Sequence, residues 1–396
     1  MAKTFQILTL NKISPAGLDR FPAARYITGT EIAEPDAILV RSHNMHEMHI
    51  PKTVLAIARA GAGTNNVPVN KMSERGVPVF NAPGANANAV KELVITGMLM
   101  ASRNIVPALH FVSSLHGDDA TLHTLVEEGK KHYAGTELRG RTLGIVGLGA
   151  IGRLVADAAI GLGMQVIGFD PEITVDAAWS LPSQVKKANS VEDLLRHSDF
   201  VSMHVPLLDA TRDLINDKRV AAMKAGSVLL NFSRDVIVNE DAILAGLASK
   251  HVRCYVCDFP TTKTQNNPGV IALPHLGAST QEAEDNCAVM VADQLRDYLE
   301  HGNISNTVNF PNLSMPRESA FRLAISNANV PNMLGQISTA LAASGINIHN
   351  MTNKSRGEMA YTLVDTDSPI PAKLHAQIAA IPGVLMVRDL PLLKEL

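Results

Sequence analysis

The sequence GLGAIG places Gly147, Gly149 and Gly152 directly after an apolar run, TLGIV, and at the start of a helical segment. The first glycine of such a loop permits a tight turn, and the second lets the backbone approach a pyrophosphate. The third allows the helix to pack closely on the strand, and the N-terminus of that helix then faces the phosphates. This pattern predicts a dinucleotide site.

Asp170 ends the next predicted strand, MQVIGFD. An acid at this place bonds the ribose hydroxyls and repels a 2'-phosphate, which favours NAD over NADP. The alternative is a glycine-rich turn with an unrelated solvated aspartate, but the surrounding strand–helix–strand order favours the cofactor site.

Arg234 follows the apolar run SVLL, and His275 follows GVIA. Removing a hydride from a 2-hydroxy acid requires a base for the hydroxyl proton and a cation for the carboxylate and the developing carbonyl. In an open parallel sheet such groups belong beyond the carboxyl ends of strands. These two residues therefore make a candidate catalytic pair, although a lone histidine at a strand end is more often structural.

Residues 141 to 275 alternate apolar strands with helical segments, which predicts a parallel, doubly wound sheet. A smaller α/β domain is expected before it, and strands and helices in the order βαββαβ predict a ferredoxin-like domain at the C-terminus. The predicted domains are a discontinuous substrate-binding domain (1–95 with 283–307), an NAD-binding Rossmann domain (96–282) and a regulatory domain (317–396). We expect a cleft between the first two, and residues 306–320 are interpreted as a linker.

The composition favours a globular protein of several domains, with 396 residues, 46% apolar residues and 18% charged residues. A net charge of -3 argues against nucleic acid or an anionic membrane as a partner, and a small-molecule substrate is expected instead. The N-terminus lacks the features of a signal peptide, and the chain has three cysteines, so we expect a cytoplasmic protein. Cys254 and Cys257 form a CxxC, but in a strand they would face opposite sides.

The chain resembles the D-2-hydroxyacid dehydrogenase family from about residue 40 to 300. The motifs that carry this resemblance are VRS, RAGAGTNNV, FNAPGANANAVKEL, GLGAIG, HVP, NFSR and PHLGAST. It implies a flavodoxin-like substrate domain, with Arg234 binding the substrate carboxylate, His275 transferring the proton, and Gly61 and Gly63 cradling the carboxylate. It also implies a cofactor site that comprises the glycine motif and Asp170 together with Ala150, Ile151, His204, Val205, Pro206, Phe232, Ser233, Asp258, Gly277 and Ala278.

One departure from the family concerns the acid that normally follows the strand containing Asp258. There the family places a glutamate that pairs with the histidine and raises its pKa, whereas this chain reads DFPTTKTQNNPG, with Thr262 at the expected position. We hypothesise that His275 works with a displaced partner, for which Asp258 is a candidate.

Arg41 and Arg59, in VRS and RAG, match positions that bind phosphate in family members acting on 3-phosphoglycerate, which implies that substrate. Lys130 and Lys131, from the same or a neighbouring subunit, add charge or are solvated surface residues. The C-terminal region resembles an ACT domain, an amino-acid-sensing module in which Asn329 and Asn347 match effector-binding positions. The resemblance implies serine as an effector and a homodimer or homotetramer, because ACT modules pair.

Three histidines, His43, His46 and His49, are interleaved with methionines, but Pro51 shortens any helix that would align their rings, so no metal site is expected. Two alternatives to the phosphorylated substrate remain open. The first is a hydroxypyruvate or glyoxylate reductase. The second is a non-catalytic NAD-sensing regulator, which the missing glutamate favours and the presence of Arg234 and His275 opposes.

Overall fold

A computed structural model describes residues 4–392 of the chain. The chain forms two compact units. Unit 1 combines the residues up to Asn86 with those from Gln281 onward, and unit 2 is Ala87–Thr280. Among the described residues, no helix is both long and apolar enough to cross a membrane.

The elements are numbered along the chain. The strands are β1 Phe5–Leu10, β2 Tyr26–Gly29, β3 Ala37–Val40, β4 Ala56–Arg59, β5 Val79–Phe80, β6 Thr142–Val146, β7 Gln165–Phe169, β8 Lys186–Lys187, β9 Phe200–Met203, β10 Ser227–Asn231, β11 Val252–Cys257, β12 Val270–Ala272, β13 Phe321–Ala328, β14 Ile348–Arg356, β15 Met359–Thr366 and β16 Val384–Asp389. The α-helices are α1 Pro15–Leu18, α2 Val69–Glu74, α3 Ala87–Ser102, α4 Ile105–Ser113, α5 Asp119–Gly129, α6 Ala150–Gly161, α7 Val175–Trp179, α8 Val191–His197, α9 Asp217–Ala222, α10 Glu240–Ala248, α11 Gln281–His301, α12 Met333–Ala343 and α13 Ala372–Ala379.

Unit 2 is built on a seven-stranded parallel sheet of order β12-β11-β10-β9-β6-β7-β8. The order reverses between β6 and β9, as in doubly wound dinucleotide-binding folds. Alternate residues of a strand enter different cores: Val228 and Leu230 pack in one cluster and Leu229 in another. Because both faces are covered, β9 and β10 are buried along their length and mostly apolar.

The helices of unit 2 begin where the sequence supplies capping side chains. Ser190, Asn216 and Asn239 each accept a hydrogen bond from a backbone N–H in the first turn of α8, α9 and α10. Each helix therefore starts at a defined residue and returns the chain to the sheet.

The N-terminal part of unit 1 is a five-stranded parallel sheet of order β2-β1-β3-β4-β5, the flavodoxin-like order. Its core is completed by α11, whose Val291, Leu295 and Leu299 are buried in the same cluster as Ile7 and Leu39. The first sheet is therefore discontinuous in sequence.

The C-terminal part of unit 1 is a four-stranded antiparallel sheet of order β14-β15-β13-β16. Its elements follow the predicted order βαββαβ, with α12 and α13 as the two helices. This sheet shares a core with the rest of unit 1, since Ala324, Tyr361 and Leu363 pack in the same cluster as the buried residues of α11.

Two arginines of the C-terminal sheet bond carbonyl groups near the end of α11. Arg322 forms a fully buried ion pair with Asp365 and donates to the carbonyls of His301 and Met315. Arg388 lies 4.3 Å above the ring of Tyr298. The last carbonyls of a helix lack intrahelical donors, so these side chains satisfy them and attach the sheet to the helix.

The segment interpreted as a linker packs its apolar residues into unit 1. Phe310, Leu313 and Met315 are at most 2% exposed, and Ile304 and Leu313 form a β-bridge. Its prolines and polar residues suggested a spacer, but its apolar residues fill the core of unit 1. The two longest helices, α3 and α11, precede and follow the parallel sheet of unit 2 in the described sequence.

We expect Asp365→Asn to destabilise the protein by about 3–5 kcal/mol, because it leaves the Arg322 guanidinium charged and uncompensated in the core. Urea unfolding followed by circular dichroism measures the loss. The matched control is Asp293→Asn, which breaks the solvent-exposed ion pair with Arg20 and should cost far less. Equal losses in the two variants would contradict the assignment.

Candidate functional site

The predicted cofactor residues of unit 2 all lie where strands of the parallel sheet end. Parallel strands end at one edge of their sheet, so the fold gathers residues that are far apart in sequence. They follow β6 or open α6 (Gly147, Gly149, Ala150, Ile151, Gly152), or follow β7 (Asp170), β9 (His204, Val205, Pro206), β10 (Phe232, Ser233), β11 (Asp258) and β12 (Gly277, Ala278).

The three glycines of the first loop have different surroundings. A Cβ on Gly152 would lie 2.0 Å from the carbonyl oxygen of Gly147, and a Cβ on Gly147 would lie 2.4 Å from that of His204. A Cβ on Gly149 would meet nothing within 4 Å. The chain itself therefore requires glycine at two positions, while the open space at the third, at the N-terminus of α6, fits the approach of a pyrophosphate.

Asp170 bonds this loop through one carboxylate oxygen and the turn after β7 through the other. Oδ2 accepts a hydrogen bond from the N–H of Leu148 at 2.8 Å, and Oδ1 accepts one from the N–H of Glu172 at 3.0 Å. The carboxylate is thus held beside the glycine loop, where a ribose hydroxyl is expected. His204 follows β9 directly. Burial lowers its pKa to about 4, so the ring is neutral at physiological pH.

Arg234 is exposed at the end of β10 and is positioned by a buried asparagine. Asn231 donates from Nδ2 to the carbonyl of Arg234 at 2.8 Å and accepts at Oδ1 from the N–H of Ser233 at 3.1 Å. Ser233 also donates to the carbonyl of Met203, which ties this turn to the end of β9. The backbone of Arg234 is therefore fixed while its guanidinium remains accessible.

His275 has a positive φ of 44°, and its N–H donates to the carbonyl of Asp258 at 3.0 Å. Its ring lies edge-on to that of Phe259, with 5.1 Å between the ring centroids. The side chain is exposed, as a group that exchanges protons with a substrate must be. A positive φ is uncommon outside glycine. The hydrogen bond to Asp258 holds this turn, and the turn sets the direction in which the imidazole leaves the backbone.

Asp258 is the buried acid beside His275. Its Oδ2 accepts a hydrogen bond from the N–H of Gly277 at 3.2 Å, while its buried Oδ1 has no hydrogen-bond partner among residues 4–392. Burial raises the pKa of Asp258, and His275, the Gly277 N–H and Arg234 oppose that rise. Buried acceptors are normally paired, so Oδ1 is suited to accept a hydrogen bond from a group outside the chain, such as a cofactor amide. The ring of His275 could also donate to it after a rotation.

The predicted substrate residues of unit 1 form a second cluster. Arg59 donates from Nε to the carbonyl of Arg41 at 3.0 Å, and the Arg41 guanidinium lies 2.7 Å from a carboxylate oxygen of Glu284. A Cβ on Gly61 would lie 1.7 Å from Nη1 of Arg59, so glycine makes room for this guanidinium. Gly63 lies in the same loop, two residues further on.

The two predicted effector residues lie at opposite ends of the C-terminal sheet. Asn329 follows β13 and donates to the carbonyl of Gly357, in the turn between β14 and β15. Asn347 precedes β14 and bonds Asp367, beyond the other end of β15. At about 3.3 Å per residue the eight-residue strand β13 spans about 23 Å, so one chain cannot bring both asparagines to one small ligand.

The cysteines and histidines considered for metal binding have ordinary structural environments. Cys254 and Cys257 pack in different cores on opposite faces of β11, as predicted, and burial raises the pKa of both thiols, that of Cys254 to about 12. His46 bonds the carbonyl of Asn65 through Nε2. Lys130 pairs with Glu127 on the exposed helix α5, and Lys131 is exposed beside it.

Comparison with known proteins shows the family of the chain. Residues 95–277 match the family described as D-isomer specific 2-hydroxyacid dehydrogenase, NAD binding domain. The D-3-phosphoglycerate dehydrogenase of Escherichia coli K12 is 34% identical over 349 residues, covering 85% of this chain and 81% of the relative. The chain belongs to the D-isomer specific 2-hydroxyacid dehydrogenase family. It is an NAD-dependent dehydrogenase.

A second relative supports the same family, and two solved structures support the fold. The D-3-phosphoglycerate dehydrogenase of Haemophilus influenzae is 32% identical over 364 residues, covering 88% of this chain and 85% of the relative. Among solved structures, an NAD⁺-bound 3-phosphoglycerate dehydrogenase of Entamoeba histolytica matches with a TM-score of 0.59 and 23% identity, over 78% of this chain and 100% of that one. The apo D-mandelate dehydrogenase of Rhodotorula graminis matches with a TM-score of 0.65 and 23% identity, over 78% of this chain and 99% of that one.

Two residues of this dehydrogenase that contact the candidate site residues were not predicted. Asn231 had a local signal, because an asparagine that precedes a turn often bonds the backbone two or three residues on. Glu284 had none, because its partner Arg41 lies far away in sequence and only the packing of α11 in unit 1 brings them together.

We expect Gly149→Ala and Gly152→Ala to fail in different ways. Gly149→Ala should leave the melting temperature nearly unchanged but raise the Kd for NADH at least about tenfold, since the methyl group enters the space for the pyrophosphate. Gly152→Ala should destabilise the fold by about 1–3 kcal/mol, because its methyl group collides with the chain's own backbone. NADH fluorescence titration and thermal unfolding separate these effects, and wild-type NADH affinity in Gly149→Ala would contradict the assignment.

Proposed function

We propose that this dehydrogenase oxidises 3-phospho-D-glycerate to 3-phosphohydroxypyruvate, the first step of L-serine biosynthesis. The observation that carries the proposal is the pair of arginines, Arg41 and Arg59, which are joined by a hydrogen bond, with the Arg59 guanidinium packed over Gly61. Guanidinium groups bind phosphate through paired, charge-assisted hydrogen bonds, and an unphosphorylated acid would not need two of them. The names of the E. coli and H. influenzae relatives support the same substrate.

The remaining roles follow from the chemistry of a 2-hydroxy acid. Arg234 would bind the substrate carboxylate, with the backbone around Gly61 and Gly63 as further donors. His275 would take the proton of the C2 hydroxyl as a general base, and the Arg234 guanidinium would stabilise the carbonyl as it forms. NAD, when bound, accepts the hydride from C2. The residues that would hold it are those at the strand ends of unit 2.

We propose Asp258 as the acid that favours the protonated form of His275, in place of the family glutamate. The support is the buried Asp258 carboxylate beside His275 and the exposed threonine at position 262. A carboxylate near an imidazole stabilises the positive charge that the ring carries after it has taken the proton. Asp258 would therefore assist catalysis through His275 while it also lines the cofactor site.

We propose that the C-terminal sheet is an ACT regulatory domain at residues 317–396, alongside the substrate-binding (1–95 and 283–307) and NAD-binding (96–282) domains. Its βαββαβ order and antiparallel sheet support this assignment. Because Asn329 and Asn347 lie at opposite ends of the sheet, an amino-acid effector such as serine would bind between two copies. Asn329 of one copy would then meet the other copy's Asn347.

We also propose that the dehydrogenase is a homodimer or homotetramer. Helix α4 has no buried residue, and Leu109 and Val112 on it are 62% and 56% exposed. Apolar side chains grouped on one helix face are typical of an interface. Sedimentation velocity that finds only a monomer would reject this assembly.

A second candidate is the reduction of an unphosphorylated 2-keto acid such as hydroxypyruvate or glyoxylate. One observation favours it: Glu284 pairs with Arg41, so the cluster offers less positive charge than two arginines alone. A substrate assay with and without the phosphate group separates the two candidates.

We expect purified protein to oxidise NADH with 3-phosphohydroxypyruvate at a kcat/KM about 10–100-fold above that with hydroxypyruvate or glyoxylate, as charged hydrogen bonds to phosphate predict. Serine should inhibit the reaction. Arg59→Ala should remove most of the preference, whereas the control Arg20→Ala, an exposed arginine paired with Asp293, should keep it. Equal kcat/KM for all three acids would contradict the phosphate site, and NADH binding without turnover would favour the NAD-sensing regulator.

We expect Asp258→Asn to move the alkaline limb of the keto-acid reduction profile to lower pH, because the protonated imidazole loses a favourable charge. Thr262→Glu, which restores the family acid, should move the same limb to higher pH. Initial rates across the pH range at saturating NADH measure both shifts, and NADH titration of each variant controls for cofactor affinity. An unmoved limb in Asp258→Asn would reject Asp258 as the partner.

A further inference from the structure

Glu284 is a carboxylate inside a cluster that otherwise suits an anion. It lies in the first turn of α11, and its Oε2 is 2.7 Å from Nη1 of Arg41. Both side chains are about one-third exposed, at 32% for Arg41 and 34% for Glu284. Arg59 joins them through its hydrogen bond to the carbonyl of Arg41.

The buried thiol of Cys287, one turn further along α11, lies within reach of the charges of both arginines. Burial raises the pKa of Cys287, the positive charges of Arg59 and Arg41 lower it, and the negative charge of Glu284 raises it. Two guanidinium groups and one carboxylate therefore act on one small volume. The carboxylate cancels one of the two positive charges that a phosphate dianion would otherwise meet.

Ion pairs between partly exposed side chains, such as Arg41 and Glu284, contribute a measurable but limited interaction energy. At an effective dielectric constant near 20, a carboxylate a few ångströms from a phosphate repels it strongly enough to change binding by an order of magnitude. The position at the start of α11 also matters, because the helix dipole stabilises a negative charge there. The Glu284 carboxylate is thus tolerated whether or not Arg41 is paired with it.

We propose that Glu284 is a specificity-determining residue that holds Arg41 until the phosphate of the substrate displaces it. The inference rests on the proposal that Arg41 and Arg59 receive that phosphate. Binding then becomes an exchange of partners at Arg41, from an internal carboxylate to the phosphate. The exchange weakens the affinity for dianionic distal groups and leaves unphosphorylated acids unaffected.

Glu284→Gln tests this directly, because glutamine keeps the size and an oxygen acceptor for Arg41 but removes the charge. The matched control is Glu282→Gln, which removes the same charge from an exposed residue in the same turn of α11. Inorganic phosphate is the probe, titrated calorimetrically into the NADH-bound enzyme at low salt and at about 0.5 M KCl, where exposed charges are screened.

We expect Glu284→Gln to bind phosphate about tenfold more tightly than the wild type at low salt. The gain should shrink to less than about threefold at high salt, because charge repulsion is its cause. It should also disappear when Arg41→Ala is added. The KM for 3-phosphohydroxypyruvate should fall by a similar factor, with the KM for hydroxypyruvate unchanged within about twofold.

Several outcomes would overturn the inference. Phosphate affinity equal to or weaker than that of the wild type would mean that Glu284 only positions Arg41, and an equal gain in Glu282→Gln would mean a general charge effect. A gain that survives high salt or the loss of Arg41 would also exclude the exchange. A wild-type enzyme that ignores 3-phosphohydroxypyruvate would reject the proposed function instead, while the phosphate titration would still report on Glu284.

Discussion

The parallel pairing of seven strands in unit 2 is the constraint on which the candidate site depends. Parallel strands all end at one edge of the sheet, and each return to the opposite edge needs a helix or loop. Residues from Gly147 to Ala278 can therefore meet there although more than a hundred positions separate them. The close contact of Gly152 with the Gly147 carbonyl allows α6 to begin beside β6, which leaves backbone N–H groups facing the edge.

Unit 1 depends on α11 in a comparable way. This helix fills the core of the five-stranded sheet, and its last carbonyls accept hydrogen bonds from Arg322 and Arg388 of the C-terminal sheet. The buried Arg322–Asp365 pair is costly to desolvate, so it is tolerated only because the carbonyls around it complete the coordination of the guanidinium. The two sheets of unit 1 are therefore joined through one helix and the buried segment that follows it.

The sequence predicted features whose signals are local, and it missed those that arise from tertiary packing. The strands ending at Val146, Asn231 and Cys257 have continuous apolar runs because both faces are buried. The edge strand β8 consists of two exposed lysines, which no apolar pattern could reveal. The prolines and polar residues around Phe310 predict a linker, whereas the apolar residues there are buried by tertiary packing that the local sequence does not show. The distance between Asn329 and Asn347 follows only from the register of β13 and β15.

Two features of the candidate site concern carboxylates: Thr262 stands where the resemblance implies a glutamate, and Glu284 places a carboxylate against Arg41. Neither position bears on the packing of the fold, because Thr262 is exposed in a loop and Glu284 lies partly exposed in a first helical turn. A change of charge at such positions costs little stability. Gly147 and Gly152, in contrast, have no room for a side chain. The charge that we propose meets the substrate and the proposed partner of His275 can therefore change without altering the strand ends of unit 2 that form the candidate NAD site.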